Sequence, residues 1–243
     1  MRSLVAAWRL ARLAPHTLHG LWIVRRRFDL LTAAERHGLI QWWSIKTLRI
    51  LGITLESEGQ AVPAGHLMVA NHVSWLDIAA VHAVLPQARF VSKADVKHWP
   101  LVGALVEGAG TLFIERSSKR DALRVVHQTA AALQAGDCVA VFPEGTTGAG
   151  PELLPFHANL LQAAVSVQAP VLPVVLRWHE PDERFSSAAR FIGDTTLLQS
   201  LWRIASARGL AISVQMLPSV MAGDQDRRGL GEVLRSQIAA RLG

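Results

Sequence analysis

Val69-Ala70-Asn71-His72-Val73-Ser74-Trp75-Leu76-Asp77 ends an apolar run with a histidine and a carboxylate five residues apart. On a continuous α-helix five residues turn through about 500°, which leaves the two side chains roughly 140° apart. A contact between His72 and Asp77 therefore requires a turn. The stretch reads as a buried strand end over Leu67 to Ala70 and a turn at Asn71 and His72. Ser74 then reads as the N-cap of a helix from Trp75 towards Pro86. A carboxylate on one imidazole nitrogen fixes the tautomer and stabilises the imidazolium, so the pair has the chemistry of a general base. In the simpler reading Asp77 closes a helix end, as in a capping box, and His72 is a loop histidine.

Outward from this stretch, short apolar runs alternate with helical segments. Strands are predicted at about 53 to 57, 66 to 70, 88 to 92, 111 to 115, 138 to 142, 171 to 177 and 210 to 217. Together they make an α/β fold with a mixed, mostly parallel sheet of about seven strands flanked by helices. Ser118 to Gln134 reads as a helix ending at Gly136, Asp194 as the cap of a helix continuing to about Ala207, and Arg227 to Leu242 as a last amphipathic helix. With 243 residues, half of them apolar, the chain fills one large core rather than two full domains. The single cysteine, Cys138, excludes an internal disulfide framework and a multi-cysteine metal site.

Residues 1 to 54 differ from the rest. Arg2, Arg9, Arg12, Arg25, Arg26, Arg27, Arg36, Lys46 and Arg49 face only Asp29 and Glu35, interleaved with leucines and with Trp8, Trp22, Trp42 and Trp43. Charges and Pro15 interrupt every apolar run long enough to span a bilayer. The composition instead predicts a pair of amphipathic helices in the interface, with tryptophans at headgroup level and arginines on lipid phosphate. The alternative is a helical hairpin packed on the domain. The division is thus 1–54 for membrane-binding helices and 55–243 for the remaining domain. The net charge of +6 agrees with an anionic membrane surface. A non-enzymatic membrane-docking or nucleic-acid module is the competing class. No nucleic-acid partner is expected, because the basic residues gather with tryptophan and leucine near the N-terminus.

Three further segments bear on chemistry. Gly110-Thr111-Leu112-Phe113-Ile114-Glu115-Arg116 puts an arginine at a strand end, where open α/β sheets present residues to a ligand crevice. Val141-Phe142-Pro143-Glu144-Gly145-Thr146-Thr147 ends another strand in a sharp turn that presents Glu144 and nearby amides. Val171 to Leu176 is a strand entered through Pro170. Neither a Gly-x-Ser-x-Gly elbow nor a His-Glu-x-x-His pair occurs, which argues against Ser74 as a hydrolase nucleophile and against a zinc enzyme.

In this order, over residues 66 to 177, the four segments resemble the glycerolipid acyltransferases that include the 1-acylglycerol-3-phosphate acyltransferases. The resemblance implies His72 as base with Asp77 behind it, and Arg116, Glu144, Gly145, Thr146 and Lys93 as acceptor-binding residues. It also implies acyl transfer from acyl-CoA or an acyl carrier protein thioester to the hydroxyl of lysophosphatidate, giving phosphatidate. Neither metal nor cofactor is needed, because a thioester is already activated. A lysophospholipid acceptor implies a peripheral or monotopic protein at the cytoplasmic face of the cell membrane. Thr147 and His157 depart from the family by standing where cations are common. They leave open another acceptor, such as a lyso-ornithine lipid or a lysophosphodiester. Turn amides near Asn71 or Gly145 are the expected oxyanion donors.

Overall fold

A computed structural model describes residues 2–59, 64–99, 101–114, 119–223 and 225–243. Its sheet holds β1 (Thr54–Glu58), β2 (Leu67–Ala70), β3 (Ala88–Lys93), β4 (Leu112–Ile114), β5 (Cys138–Val141), β6 (Pro170–His179), β7 (Ala211–Met216) and a two-residue β8 (Val220–Met221). The order is β1-β7-β6-β2-β5-β3-β4. Among the described residues only the pairings of β6 with β7 and with β8 are antiparallel in the sheet, which is therefore mixed and mostly parallel, with eight strands where seven are predicted. The extra strand escapes prediction because two residues carry no periodicity.

Strand alternation builds the two cores. Met68, Ala70, Ala140, Leu172, Val174 and Leu176 face one side, under α1 (Arg2–Arg27), α2 (Ala33–Leu51), α3 (Asp77–Val84) and α7 (Leu197–Ser206). Leu67, Val69, Val139, Val141, Val171 and Val175 face the other, under α5 (Lys119–Gln134), α6 (Leu161–Val167) and α8 (Arg227–Leu242). The short α4 (Val102–Gly108) connects β3 to β4. This two-sided burial is why the parallel strands read as continuous apolar runs. β2 and β5 are neighbours, yet β2 leads through α3 towards β3, while β5 leads through α6 on the opposite face to β6. Neighbouring strands whose connections diverge in this way open a crevice at their carboxyl ends.

Two helix starts differ from expectation. Ser74 is no N-cap: the helix begins at Asp77, whose carboxylate turns back on the amides of Val73 and Ser74. Before α7 the cap is Thr196 rather than Asp194, in a capping box with Gln199 that satisfies two amides at once.

The N-terminal helices pack on the domain. Ala6, Leu48 and Leu51 are buried in the same core as Met68 and Leu172. Arg9, expected among the lipid-facing arginines, donates to the carbonyls of Ala205 and Ala207 at 2.9 and 3.1 Å. It caps the end of α7, where carbonyls lack helical partners and the dipole favours a cation. Its guanidinium also lies over Gly52, whose φ of 73° ends α2. A Cβ at Gly52 would sit 2.0 Å from Arg9 Nη2. Other residues of α1 remain outward. Leu4, Trp8, Ala11, Pro15, Leu18 and Trp22 are all exposed. At 100° per residue they fall within about 40° of one line along the helix. No helix of the described residues is long and apolar enough to cross a membrane.

Candidate active site

His72 lies just past the carboxyl end of β2 and is held from four directions. Its Nδ1 is 2.8 Å from Asp77 Oδ2, with the aspartate fully buried and the histidine side chain 17% exposed. Because the carboxylate accepts, Nδ1 carries a proton, and in the neutral imidazole the lone pair is then on Nε2. The backbone N–H of His72 donates to Glu144 Oε1 at 2.8 Å, and its carbonyl accepts from the N–H of Gly148 at 2.7 Å. The imidazole stacks on Phe142, centroids 3.9 Å apart and planes within 5°, and Phe142 stacks in turn on Phe90. Ring and peptide are therefore both fixed before any substrate arrives.

Asp77 accepts four hydrogen bonds. Oδ2 takes His72 Nδ1 and the amides of Val73 and Ser74, at 2.7 and 2.9 Å. Oδ1 takes the indole N–H of Trp178 at 2.6 Å. Asp77 closes no capping box, since the helix begins at its own position; its carboxylate serves the amides of the preceding turn and the imidazole together. Asn71 anchors the same turn: its side chain donates to the carbonyl of Leu176 and accepts from that residue's N–H. The pairing of β2 with β6 is thereby continued one step past Ala70 and Val174. Trp75, in the turn, donates its indole N–H to Ser200 of α7. Ser74 is fully buried and its hydroxyl accepts from Leu76 N, so it is not presented as a nucleophile.

Glu144 occupies a different place from that expected. It is 4% exposed, and its oxygens accept the amides of His72 and Leu154, both at 2.8 Å. Burial pushes its carboxyl above the ordinary range, against the lowering pull of those two amides. Its placement is that of a brace under His72. Gly145, at φ 69°, makes the turn that aims Glu144 back, with its N–H on the carbonyl of Phe142. The amides expected as oxyanion donors are thus engaged: those of His72, Val73 and Ser74 by carboxylates, that of Gly145 by Phe142.

Among the other expected residues, Lys93 is exposed at the end of β3. By the register Phe90 to Ala140 it lies one step beyond the level of Phe142. Thr146 is exposed, and the Thr147 hydroxyl donates to the carbonyl of Phe191. His157 is exposed, with its N–H on the carbonyl of Pro143. Arg116, along with Glu115, lies outside the described residues. Sequence reasoning missed Trp178, Gly148 and the 185–196 segment. Trp178 was accessible in principle, because it continues the alternation of Leu172, Val174 and Leu176 towards the core that holds Asp77.

An imidazole held through one nitrogen by a buried carboxylate, set at the crevice end of parallel strands, has the arrangement of a proton-abstracting enzyme. A family model described as Acyltransferase matches residues 54–177, and the chain belongs to that family. It is similar to the 1-acyl-sn-glycerol-3-phosphate acyltransferase of Neisseria gonorrhoeae, 37% identical over 191 residues, covering 78% of this chain and 74% of that one. It is equally similar to the lyso-ornithine lipid O-acyltransferase of Pseudomonas aeruginosa, 37% identical over 207 residues, covering 85% and 78%. The fold matches the crystal structure of the 1-acyl-sn-glycerophosphate (LPA) acyltransferase PlsC from Thermotoga maritima, with a TM-score of 0.67, 19% identity and 96% of each chain covered.

Proposed function

We propose that the chain transfers an acyl group from a thioester, acyl-CoA or acyl carrier protein, to the free hydroxyl of 1-acylglycerol 3-phosphate, giving phosphatidate. The observation that carries this reading is the His72 and Asp77 pair at 2.8 Å with Nε2 left as proton acceptor. Nε2 removes the proton of the acceptor hydroxyl as its oxygen attacks the thioester carbonyl. Asp77 stabilises the imidazolium, the thiolate leaves, and the proton on His72 passes to it. Lys93 and Arg116 are the cations we assign to the acceptor phosphate, with the backbone of Gly145 and Thr146 beside them. The Neisseria relative, a 1-acyl-sn-glycerol-3-phosphate acyltransferase, supports this acceptor.

The Pseudomonas relative favours a second reading, a lyso-ornithine lipid acceptor. Measuring kcat/KM for lysophosphatidate, lysophosphatidylglycerol and lyso-ornithine lipid with labelled acyl-CoA separates the two. A tenfold or greater preference for either of the latter overturns lysophosphatidate.

The outward stripe of α1 supports peripheral docking on an anionic bilayer. Leu198 and Trp202 of α7, 75% and 45% exposed, add apolar surface on the neighbouring helix, beside Leu10 of α1. Because Leu48 and Leu51 belong to the core, removing residues 1–54 would test folding rather than docking. Trp8→Ser with Trp202→Ser is the sharper perturbation, and flotation with anionic vesicles the measurement. Unchanged flotation would place the docking surface elsewhere.

A further inference from the structure

The segment between β6 and α7 lies beyond the family match, yet it closes on the catalytic turn. The N–H of Phe191 donates to the carbonyl of Val73 at 3.0 Å, and the Phe191 carbonyl accepts from Thr147. Val73 is the residue whose own amide holds Asp77. Arg203 donates to the carbonyl of Arg190 at 3.4 Å and to the Thr195 hydroxyl at 3.1 Å. The backbone of Arg190 and Phe191 is thus tied to the histidine turn, to the loop after β5 and to α7. The Phe185 ring lies on the same side, where a Cβ at Gly150 would meet Phe185 Cδ1 at 3.6 Å and Val73 Cγ2 at 3.8 Å.

Within this frame the Arg190 side chain is half buried and has one buried N–H without a partner. Nη2 donates to the carbonyl of Phe185 at 3.1 Å, while Nε, shielded from solvent, has no hydrogen-bond partner. No ion pair to Arg190 occurs among the described residues. A guanidinium carries five donors, and burying one without an anion is costly. An unmatched cation on a rigid segment beside the catalytic turn is a site prepared for an oxyanion, since a fork of N–H groups matches phosphate and carboxylate alike.

We propose that Arg190 binds the anionic headgroup of the acceptor lysolipid, phosphate or carboxylate, through its uncommitted Nη protons. The inference rests on the acyltransferase reading and adds a ligand from outside the matched region. Because the segment is already ordered by Val73, Thr147 and Arg203, little ordering cost opposes binding.

The test uses full-length wild type, Arg190→Gln and Arg190→Lys, with acyl-CoA as donor and either lysophosphatidate or lyso-ornithine lipid as acceptor. Wild-type transfer to neither acceptor would sink the underlying reading, separately from this one. With transfer established, Arg190→Gln is expected to raise the acceptor KM about tenfold or more, as for a lost charged hydrogen bond, leaving kcat and the acyl-CoA KM within about twofold. Arg190→Lys, which keeps the charge but loses the fork, falls between, and decides the matter if the glutamine variant does not fold. The acceptor whose KM responds identifies the anion as phosphate or carboxylate. An unchanged acceptor KM, an equal rise in the acyl-CoA KM, or a fall in kcat alone would each overturn the proposal.

Discussion

Glu144→Gln separates a brace from a ligand. The side chains are nearly isosteric, but glutamine has one acceptor oxygen where glutamate has two. In the structure both positions face an N–H, that of His72 and that of Leu154. Either orientation of the amide therefore points a donor at a donor. If the clash falls on His72, the histidine loses its support directly. If it falls on Leu154, the loop that carries Gly148 shifts, and Gly148 N–H holds the His72 carbonyl. One hydrogen bond to a charged group is lost, worth about 1.5 to 3 kcal/mol. Expressed in the transition state, that corresponds to roughly a 10- to 150-fold fall in kcat. The assay is steady-state transfer with both substrates varied, alongside thermal unfolding to show a folded variant. Both KM values should stay within about threefold, because the bonds lost are internal to the enzyme. A variant with wild-type kcat and a raised acceptor KM would refute the brace and return Glu144 to the acceptor.

Three other perturbations follow from the same geometry. His72→Ala should leave a folded protein with kcat lower by about 10² to 10⁴, the usual worth of a positioned base, and wild-type turnover would end the general-base assignment. Trp178→Phe removes the N–H on Asp77 Oδ1 at a fully buried carboxylate; kcat should fall about tenfold with both KM values unchanged, and unaltered kcat would make the indole a packing residue only. His82, buried with Nε2 on the carbonyl of Ala88, is pushed down from 6.5 to about 4 by burial. The native state prefers it neutral, so its stabilisation is present above pH 6.5 and is lost as pH falls towards 4, by about 3 kcal/mol. His82→Gln should flatten that part of the stability profile in urea unfolding, and an equally steep profile would assign the acid sensitivity to other groups.

Much of the sheet was legible because parallel strands buried on both faces leave runs such as Leu67 to Ala70 and Cys138 to Val141 that little else explains. The meeting of His72 with Asp77 was legible for a geometric reason, since five residues demand a turn and Asn71 supplies it. What stayed hidden were bonds that depend on which strands become neighbours. That β5 lies beside β2 decides that Glu144 and Gly148 grip the peptide of His72, and the run Phe142 to Thr147 cannot say so alone. Arg9 shows the complementary failure. In composition it belongs with the arginines around Trp8, and only the approach of α1 to α7 reveals that its guanidinium ends a helix.

The division of labour within the site follows from these neighbours. Its invariant requirement is an imidazole held in one tautomer at one place, and the turn after β2 and the loop after β5 accomplish it with bonds directed at each other rather than outward: Asp77 to Val73 and Ser74, Glu144 to His72 and Leu154, Gly148 to His72. Groups so engaged cannot also adapt to a headgroup. In the reading proposed above, headgroup recognition falls to residues outside this closed frame. Two relatives equally identical to this chain and named for different acceptors are what such an arrangement allows. On this proposal the acceptor's specificity is sought in Lys93, Arg116 and Arg190, not in the proposed catalytic pair.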